Sequence, residues 1–515
     1  MLFPLVPAIV AAVAAITWLV LTRKGHSRTA RQVIQGASAI VVLVVLVLPT
    51  RESAIATAMS GASIVLSWDG NARLSAVVLM LATFAHQVTP REERRVAPEA
   101  LLVAMALLCL AADNAFALAL SMGLLCITIT WVESALPADS RGPFAVLGLG
   151  GILASLGLLG LLPSWGIQQA SAVNMPSWTV LVAVFALCFG GLLLGYPALR
   201  WPTMASLTVT AAHTLQHLGG APVPAGVMQT FLLVFGGIAV LGSALSVFLW
   251  GPRGRALDAL YGLIFGLALL AAALNTADVA GTATLALLGA VLAYSTLIAL
   301  EGAEGHGWYA LPRIVGVSVL AGLLPGPTMV ARWRVVAATL ALGDGWLVFW
   351  QVFAALLACW VAAMLVMPWA REPDRTSPPI DWVAWATGAL LSALSLALGI
   401  APSIIEPGMG FLGFPKAGSG VLGMLCTLAP ALLGLFLAIW PAAIHAQRRA
   451  SSWRGWMGPV WQGTWERALL WIDGAQAAVA ESARRLFHML EERLIIIWGL
   501  LSVLVLVLIA LESGL

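Results

Sequence analysis

Lysine is almost missing from this chain. Of the 26 lysines and arginines in 515 residues, two are lysine, Lys24 and Lys416, and 24 are arginine. Lys24 sits in a basic loop and Lys416 in a Gly/Pro-rich loop, so no apolar run contains a lysine. That excludes the one basic side chain that desolvation readily neutralises near physiological pH; arginine keeps its charge. Charge of either sign is scarce at 10% of residues. The five cysteines, Cys109, Cys126, Cys188, Cys359 and Cys426, show no metal-ligand spacing and no disulfide pattern, and read as small buried hydrophobes. There is no Walker loop, no GxGxxG after a strand, no HExxH and no large polar insertion. No cofactor, metal or nucleic-acid partner is expected, and the chain reads as non-catalytic.

What is present is hydrophobic sequence. The chain is 61% hydrophobic with a mean hydropathy of +0.97, more than a soluble core needs. Apolar runs of about 18–20 residues recur from end to end, the pattern of a polytopic helical membrane protein. The expected fold is all-α, a transmembrane bundle of about 14 spans with broken helices and a C-terminal amphipathic helix. Residues 1–66 are expected to be N-terminal transmembrane helices, 67–445 the core, and 446–515 a lateral helix followed by a last span.

The first span, Leu2–Leu21, lacks a cleavage site before Arg23, Lys24, Arg28 and Arg31, so it reads as a retained helix. By the positive-inside rule that loop is cytoplasmic and the N-terminus faces outward, in an inner (cytoplasmic) membrane. The chain returns over Gln32–Leu48. Arg51–Asn71 is then outside and irregular, with room for a short hairpin. Further spans are expected at Leu74–Val88, before the Arg91–Arg95 loop, and at Ala97–Ala112, Phe116–Val132, Phe144–Leu162 and Trp178–Leu194. The polar stretch around Arg200–Gly220, with Thr208, Thr210, His213 and His217, is equally consistent with half of a broken helix or a loop. Val227–Leu249, Leu260–Leu274, Thr282–Ala299, Ile314–Leu342, Trp346–Met367, Val383–Ile400 and Val421–Ala443 follow. Tryptophans near span ends (Trp68, Trp131, Trp201, Trp308, Trp369, Trp382) fit an interfacial belt. The tail alternates charged residues from Arg448 to Arg493 with apolar ones at helical spacing, as a helix lying along the membrane face or a partner does.

The segment of greatest interest runs from Gly322 to Trp333, GLLPGPTMVARW. Gly and Pro interrupt an otherwise continuous span, and Arg332 follows just past the break. A charge at a broken helix at membrane depth is a frequent ion-handling geometry. Ahead of that reading stands a structural one, in which Arg332 ties carbonyls freed by the break or pairs with Asp344; a position at an interface with Arg334 is the remaining alternative. His213 and His217, four apart, share a helical face and suit a proton relay or polar packing. Asp258 is placed to pair with Arg255 or Arg253. Glu133 reads as a loop residue at a membrane face.

This segment resembles "G-I-P-P-x-x-G-F-x-x-K-F" of the antiporter-like, proton-translocating membrane subunits of respiratory complex I. The same family includes multisubunit cation/proton antiporters, membrane-bound hydrogenases and a bicarbonate-uptake partner subunit. Asp69-Gly70-Asn71-Ala72-Arg73-Leu74-Ser75 is similar to its "D-G-L-S" with three residues inserted. Ala221-Pro222-Val223-Pro224-Ala225-Gly226 is similar to its "A-P-T-P-V-S", and Ala256–Gly262 loosely to "K-R-L-L-A-Y-S". The likeness covers most of Asp69–Met367.

The resemblance implies an ion-translocating or redox complex, quinone-linked in the complex I case, with other membrane subunits and the lipid bilayer as partners. It also implies an acidic residue on the fifth helix paired with a lysine on the seventh. Here the family's "D-N-L-x-x-x-x-x-W-E" falls on Asp113-Asn114-Ala115-Phe116, and its glutamate near Gly123; Glu133 is ten residues further on. The family lysines fall on Phe235, near Arg255 or Ala256, and on Arg332. The stretch from Arg255 to Gly322 is also short for a second half-channel. The expectation is a subunit that serves as scaffold or modified ion path, with Arg332, His213, His217, Arg255, Asp258, Asp344, Asp113 and Glu133 as path candidates. The alternative is a subunit that still moves protons or cations using His, Arg and water.

Overall fold

The structure is a computed structural model. It describes residues 3–23, 27–47, 53–56, 63–88, 96–113, 115–134, 201–218, 227–250, 255–274, 281–301, 307–367, 381–404 and 419–439. The expected spans Phe144–Leu162 and Trp178–Leu194 and the whole amphipathic tail lie outside the described residues.

Fourteen α-helices are described: α1 (Val6–Arg23), α2 (Ser27–Val47), α3 (Gly70–Val88), α4 (Val96–Ala111), α5 (Ala115–Ser134), α6 (Trp201–Leu218), α7 (Val227–Trp250), α8 (Arg255–Leu274), α9 (Thr282–Ala299), α10 (Leu311–Ala321), α11 (Pro327–Ala341), α12 (Gly345–Val366), α13 (Trp382–Ile400) and α14 (Ser419–Ile439). The fold is the expected all-α polytopic bundle. Among the described residues, α9, α12, α13 and the Val421–Ala438 part of α14 are long and apolar enough to cross a membrane on length and composition alone. The one sheet described is a small hairpin in the irregular stretch, β1 (Ser53–Ala56) antiparallel to β2 (Ser63–Leu66). It is tied to the end of α4 through the Ser67 N–H, which donates to the Ala111 carbonyl at 2.8 Å.

Aspartates start several helices. The Asp69 carboxylate accepts from the Ala72 amide at 2.6 Å and caps α3. Asp344 caps α12 through the Leu347 amide, and Asp381 caps α13 through the Val383 and Ala384 amides. Gly322, at φ 72°, closes α10 in the left-handed region that favours glycine.

The centre of the bundle is α9. It is apolar on every side and 89% of it is buried, as expected of a helix enclosed by other helices. It packs against α3, α6, α8, α10, α11 and α13. The periphery is different: α2 exposes Leu43 and Val47, α12 exposes Trp346 and Phe349, and α14 exposes Leu432 and Phe436. Such apolar outer faces suit lipid.

Three expectations change. The polar stretch after Arg200 is not a loop but the helix α6, buried from Trp201 to Leu215 apart from half-buried Met204. Glu133 is not in a loop; it lies in the last turn of α5. Trp68 and Trp201 are 1% and 3% exposed, so neither joins an interfacial belt. Trp68 donates its indole N–H to the Pro4 carbonyl at 2.9 Å, and Trp201 stacks on Tyr294 with centroids 4.7 Å apart. A span-end position in sequence became a core position because neighbouring helices cover it.

Candidate functional site

The break is where sequence and structure agree most closely. α10 ends at Ala321, five residues turn, and α11 begins at Pro327. Pro at the first helical position lacks only an N–H that would have no intrahelical acceptor. At the end of α10, the Gly322 N–H donates to the Val319 carbonyl and the Leu323 N–H to the Ser318 carbonyl at 2.8 Å. Two small residues let the elbow sink into the bundle. A Cβ on Gly399 of α13 would stand 2.4 Å from the Gly326 Cα, and one on Gly289 of α9 would stand 2.3 Å from the Pro327 Cβ.

Arg332 lies on α11, 2% exposed. Side chains on a helix lean toward its N-terminus. The guanidinium accordingly reaches back across the break, where it donates to the Ala321 carbonyl at 3.0 Å. It also donates to the Cys359 Sγ of α12 at 3.6 Å, and the Cys359 thiol donates to the same Ala321 carbonyl at 3.3 Å. The expected alternative of a pair with Asp344 is not formed; that carboxylate is engaged in capping α12 at an exposed position. Among the described residues no carboxylate stands within ion-pair distance of Arg332. The charge faces the negative, carbonyl end of α10 instead. Chemically this is a fixed cation holding two half-helices together.

A second polar region follows α6. Thr203, Ser206, Thr208, Thr210, His213 and Thr214 are each 2% exposed or less. The Thr208 hydroxyl donates to the Met204 carbonyl at 2.7 Å, so the Tyr261 hydroxyl of α8, 2.6 Å away, is the donor between the two. His213 Nε2 stands 3.4 Å from the Ala112 carbonyl, which only accepts, so the ring N–H donates. Asp113 follows directly and is half-buried. Among the described residues, the Ser206 hydroxyl and those of Ser75 on α3 and Thr282 on α9 are buried without a partner.

The structure therefore brings His213 near the α4–α5 turn that carries Asp113, and leaves Arg332 with Cys359. Asp344 is at neither place. His217 and Arg255 lie on α6 and α8, as do Asp258 and, on α5, Glu133; their side chains are outside the described residues. Sequence reasoning missed Cys359, read as inert, and the pair His86–Glu99, at 3.2 Å. The latter was findable: one residue ends α3 and the other begins α4 across a short loop, so an antiparallel hairpin sets them face to face.

No protein-family model matches the chain and no curated protein matches it. Solved structures do. One is a chain of the Mrp complex from Dietzia sp. DQ12-45-1b, with 16% identity over 93% of this chain and a TM-score of 0.65; this chain spans 63% of that one. Another belongs to respiratory complex I from Thermus thermophilus with bound aureothin, with 16% identity, TM-score 0.60, and 78% of this chain and 98% of that one covered. A third belongs to the membrane-bound sulfane sulfur reductase, an archaeal respiratory membrane complex, with 13% identity, TM-score 0.60, and 78% and 76% covered. The fold is thus shared with chains of these three membrane complexes.

Proposed function

We propose that this chain is an integral subunit of a multisubunit ion-translocating or redox membrane complex, of complex I-like, hydrogenase-like or bicarbonate-uptake type, in which it is chiefly a scaffold. The observation that carries this reading is Arg332. Its guanidinium is committed to the Ala321 carbonyl and the Cys359 sulfur, and it cannot release a proton as a buried lysine can. The fold likeness to chains of three complexes supports partners within the membrane. In this reading the N-terminus faces outward, the core runs over 67–445, and the 446–515 tail docks neighbouring subunits. Purification from native membrane under mild detergent tests it. Co-migrating membrane subunits, lost on removal of the tail, are expected; a monodisperse single chain from native membrane sinks the reading.

A second reading has a specific observation in its favour. The α6 column, with His213, Thr208, Tyr261 and buried hydroxyls lacking protein partners, has the composition of a polar path that water completes. Here the chain still moves protons or cations. His213→Gln measured for proton flux in the reconstituted complex separates the two: a fall of tenfold or more (about 1.4 kcal/mol) favours the path, and unchanged flux favours the scaffold.

A further inference from the structure

The break holds more positive charge than its contacts neutralise. α10 brings the carbonyl end of a helix to it and α11 the amide end, worth about −0.5 and +0.5 of an elementary charge. These cancel, and the Arg332 guanidinium is left over. α11 packs against α8, α9, α10, α12, α13 and α14. Of these, only α8 carries an acidic residue, Asp258, close to its start. Asp258 comes before Tyr261, whose ring meets Tyr294 of α9 with centroids 5.2 Å apart. α9 touches the break more than a turn earlier, where Gly289 packs on Pro327. The helices that enclose the break therefore bring it no carboxylate.

α11, 15 residues long, also starts without a side-chain cap, and Pro327 at its first position has no N–H. The Val330 N–H donates to the Gly326 carbonyl at 3.1 Å. The Thr328 and Met329 amides precede it and have no acceptor inside the helix. The Thr328 hydroxyl is 0% exposed and, among the described residues, without a partner. Helical side chains lean toward the N-terminus, so this hydroxyl lies against the open first turn. Arg332 is four residues on, one turn behind it and on the same face. Its guanidinium has five N–H groups, and bonds to the Ala321 carbonyl and the Cys359 sulfur engage two of them. Pro325, in the turn itself, is exposed, so the elbow is open on one side.

We propose that the start of α11 binds a small monovalent inorganic anion such as chloride. The Thr328 and Met329 amides and the Thr328 hydroxyl donate to it, and Arg332 supplies the balancing charge. A water molecule would satisfy the hydroxyl and leave the charge over. A larger anion is disfavoured because Gly289 and Gly399 close the elbow with no space for so much as a Cβ. With the anion bound, both ends at the break are capped: the carbonyl end of α10 by Arg332, and the amide end of α11 by the anion. The inference needs Arg332 as a fixed cation, and holds whether the chain is a scaffold or an ion path.

The test is binding of chloride-36 to the full chain in lipid nanodiscs at fixed pH and ionic strength. Wild type is expected to bind it saturably, with displacement by nitrate and none by gluconate. Thr328→Val keeps the shape and removes the hydroxyl. It is expected to weaken binding at least about tenfold, the scale of one hydrogen bond to a charged group. Arg332→Gln is expected to abolish binding, and Gly36→Ala, on α2, to leave it unchanged. Should Arg332→Gln fail to fold, Thr328→Val decides. Absence of saturable binding by wild type overturns the proposal. So does binding unmoved by Thr328→Val, which would put the anion on arginines elsewhere. Neither result changes whether other subunits co-migrate with the chain, so the scaffold reading stands or falls separately.

Discussion

Arg332 and Cys359 converge on a single backbone carbonyl, that of Ala321, from two different helices. The guanidinium also donates to the sulfur, closing a triangle across the break. This joins α10, α11 and α12 at the point where the span is interrupted, and accounts for a buried charge with no carboxylate beside it among the described residues.

The triangle makes a prediction about stability. Arg332→Met keeps most of the volume and removes the donors, and is expected to lose about 1.5–3 kcal/mol, the range for a hydrogen bond from a charged group. Cys359→Ala is expected to lose about 0.5–1.5 kcal/mol in bonding, plus packing. Cys359→Ser should recover part of it, since a hydroxyl also donates to Ala321. Because the two residues share an acceptor, Arg332→Met with Cys359→Ala should not be additive. Denaturant unfolding of the purified chain measures all four. A fully stable Arg332→Met removes the capping role.

The glycines around the elbow rank in a definite order. Gly322→Ala must hold φ 72° with a Cβ 3.0 Å from Arg332 Nη1, at about 1–2 kcal/mol for the left-handed backbone alone. Gly399→Ala is worse, because its Cβ would meet the Gly326 backbone at 2.4 Å and backbone cannot step aside. It should exceed the roughly 1–3 kcal/mol of ordinary overpacking. Gly36→Ala on α2 is the control: nothing lies within 4 Å, and a helix interior favours Ala by about 0.5–1 kcal/mol. Midpoints of thermal unfolding should fall in the order Gly36→Ala, Gly322→Ala, Gly399→Ala.

These contacts mark the boundary of what the sequence discloses. The break itself is legible because Gly and Pro act locally on the backbone, and Gly322–Pro327 contains little else. The fold class is legible because lipid imposes long apolar runs on any chain that crosses it. Cys359 is 27 residues from Arg332, and its role depends on how α12 crosses α10, which no local pattern encodes. α6 resisted reading for a related reason. Two of its threonines satisfy their hydroxyls on carbonyls one turn back, Thr208 on Met204 at 2.7 Å and Thr214 on Thr210 at 2.8 Å. A polar sequence can therefore sit in an apolar core. Trp68 and Trp201 misled because nearness to a span end predicts an interface only when nothing packs over it.

The contact between Thr208 and Tyr261 links α6 to α8 through a buried hydroxyl pair at 2.6 Å. Thr208→Val and Tyr261→Phe should each destabilise the chain. Their double-mutant cycle should give a coupling of about 0.5–1.5 kcal/mol, the usual net worth of one hydrogen bond. Tyr261 also meets Trp201 edge-on with centroids 5.8 Å apart, which Tyr261→Phe preserves, so the coupling reports on the hydroxyls. A coupling near zero would mean that each hydroxyl finds an equal partner when the other is gone.

The two buried tryptophans separate hydrogen bonding from packing. Trp68 uses its indole N–H to hold the Pro4 carbonyl, 64 residues back in the chain, just ahead of α1. Trp201 packs against Tyr294 and Tyr261, and its N–H finds no acceptor among the described residues. Trp68→Phe should therefore release the N-terminal turn and cost about 0.5–1.5 kcal/mol for the lost bond. Amide exchange over Phe3–Leu5 and the start of α1 should speed up by about 2- to 12-fold, the same free energy expressed as an opening equilibrium. Trp201→Phe removes ring area from the α6–α8–α9 cluster and should loosen exchange there, leaving the N-terminal turn as it was. Hydrogen exchange read by mass spectrometry distinguishes the two patterns. Equal effects of both variants at the N-terminus would mean that the turn is held by the bundle as a whole and not by this indole.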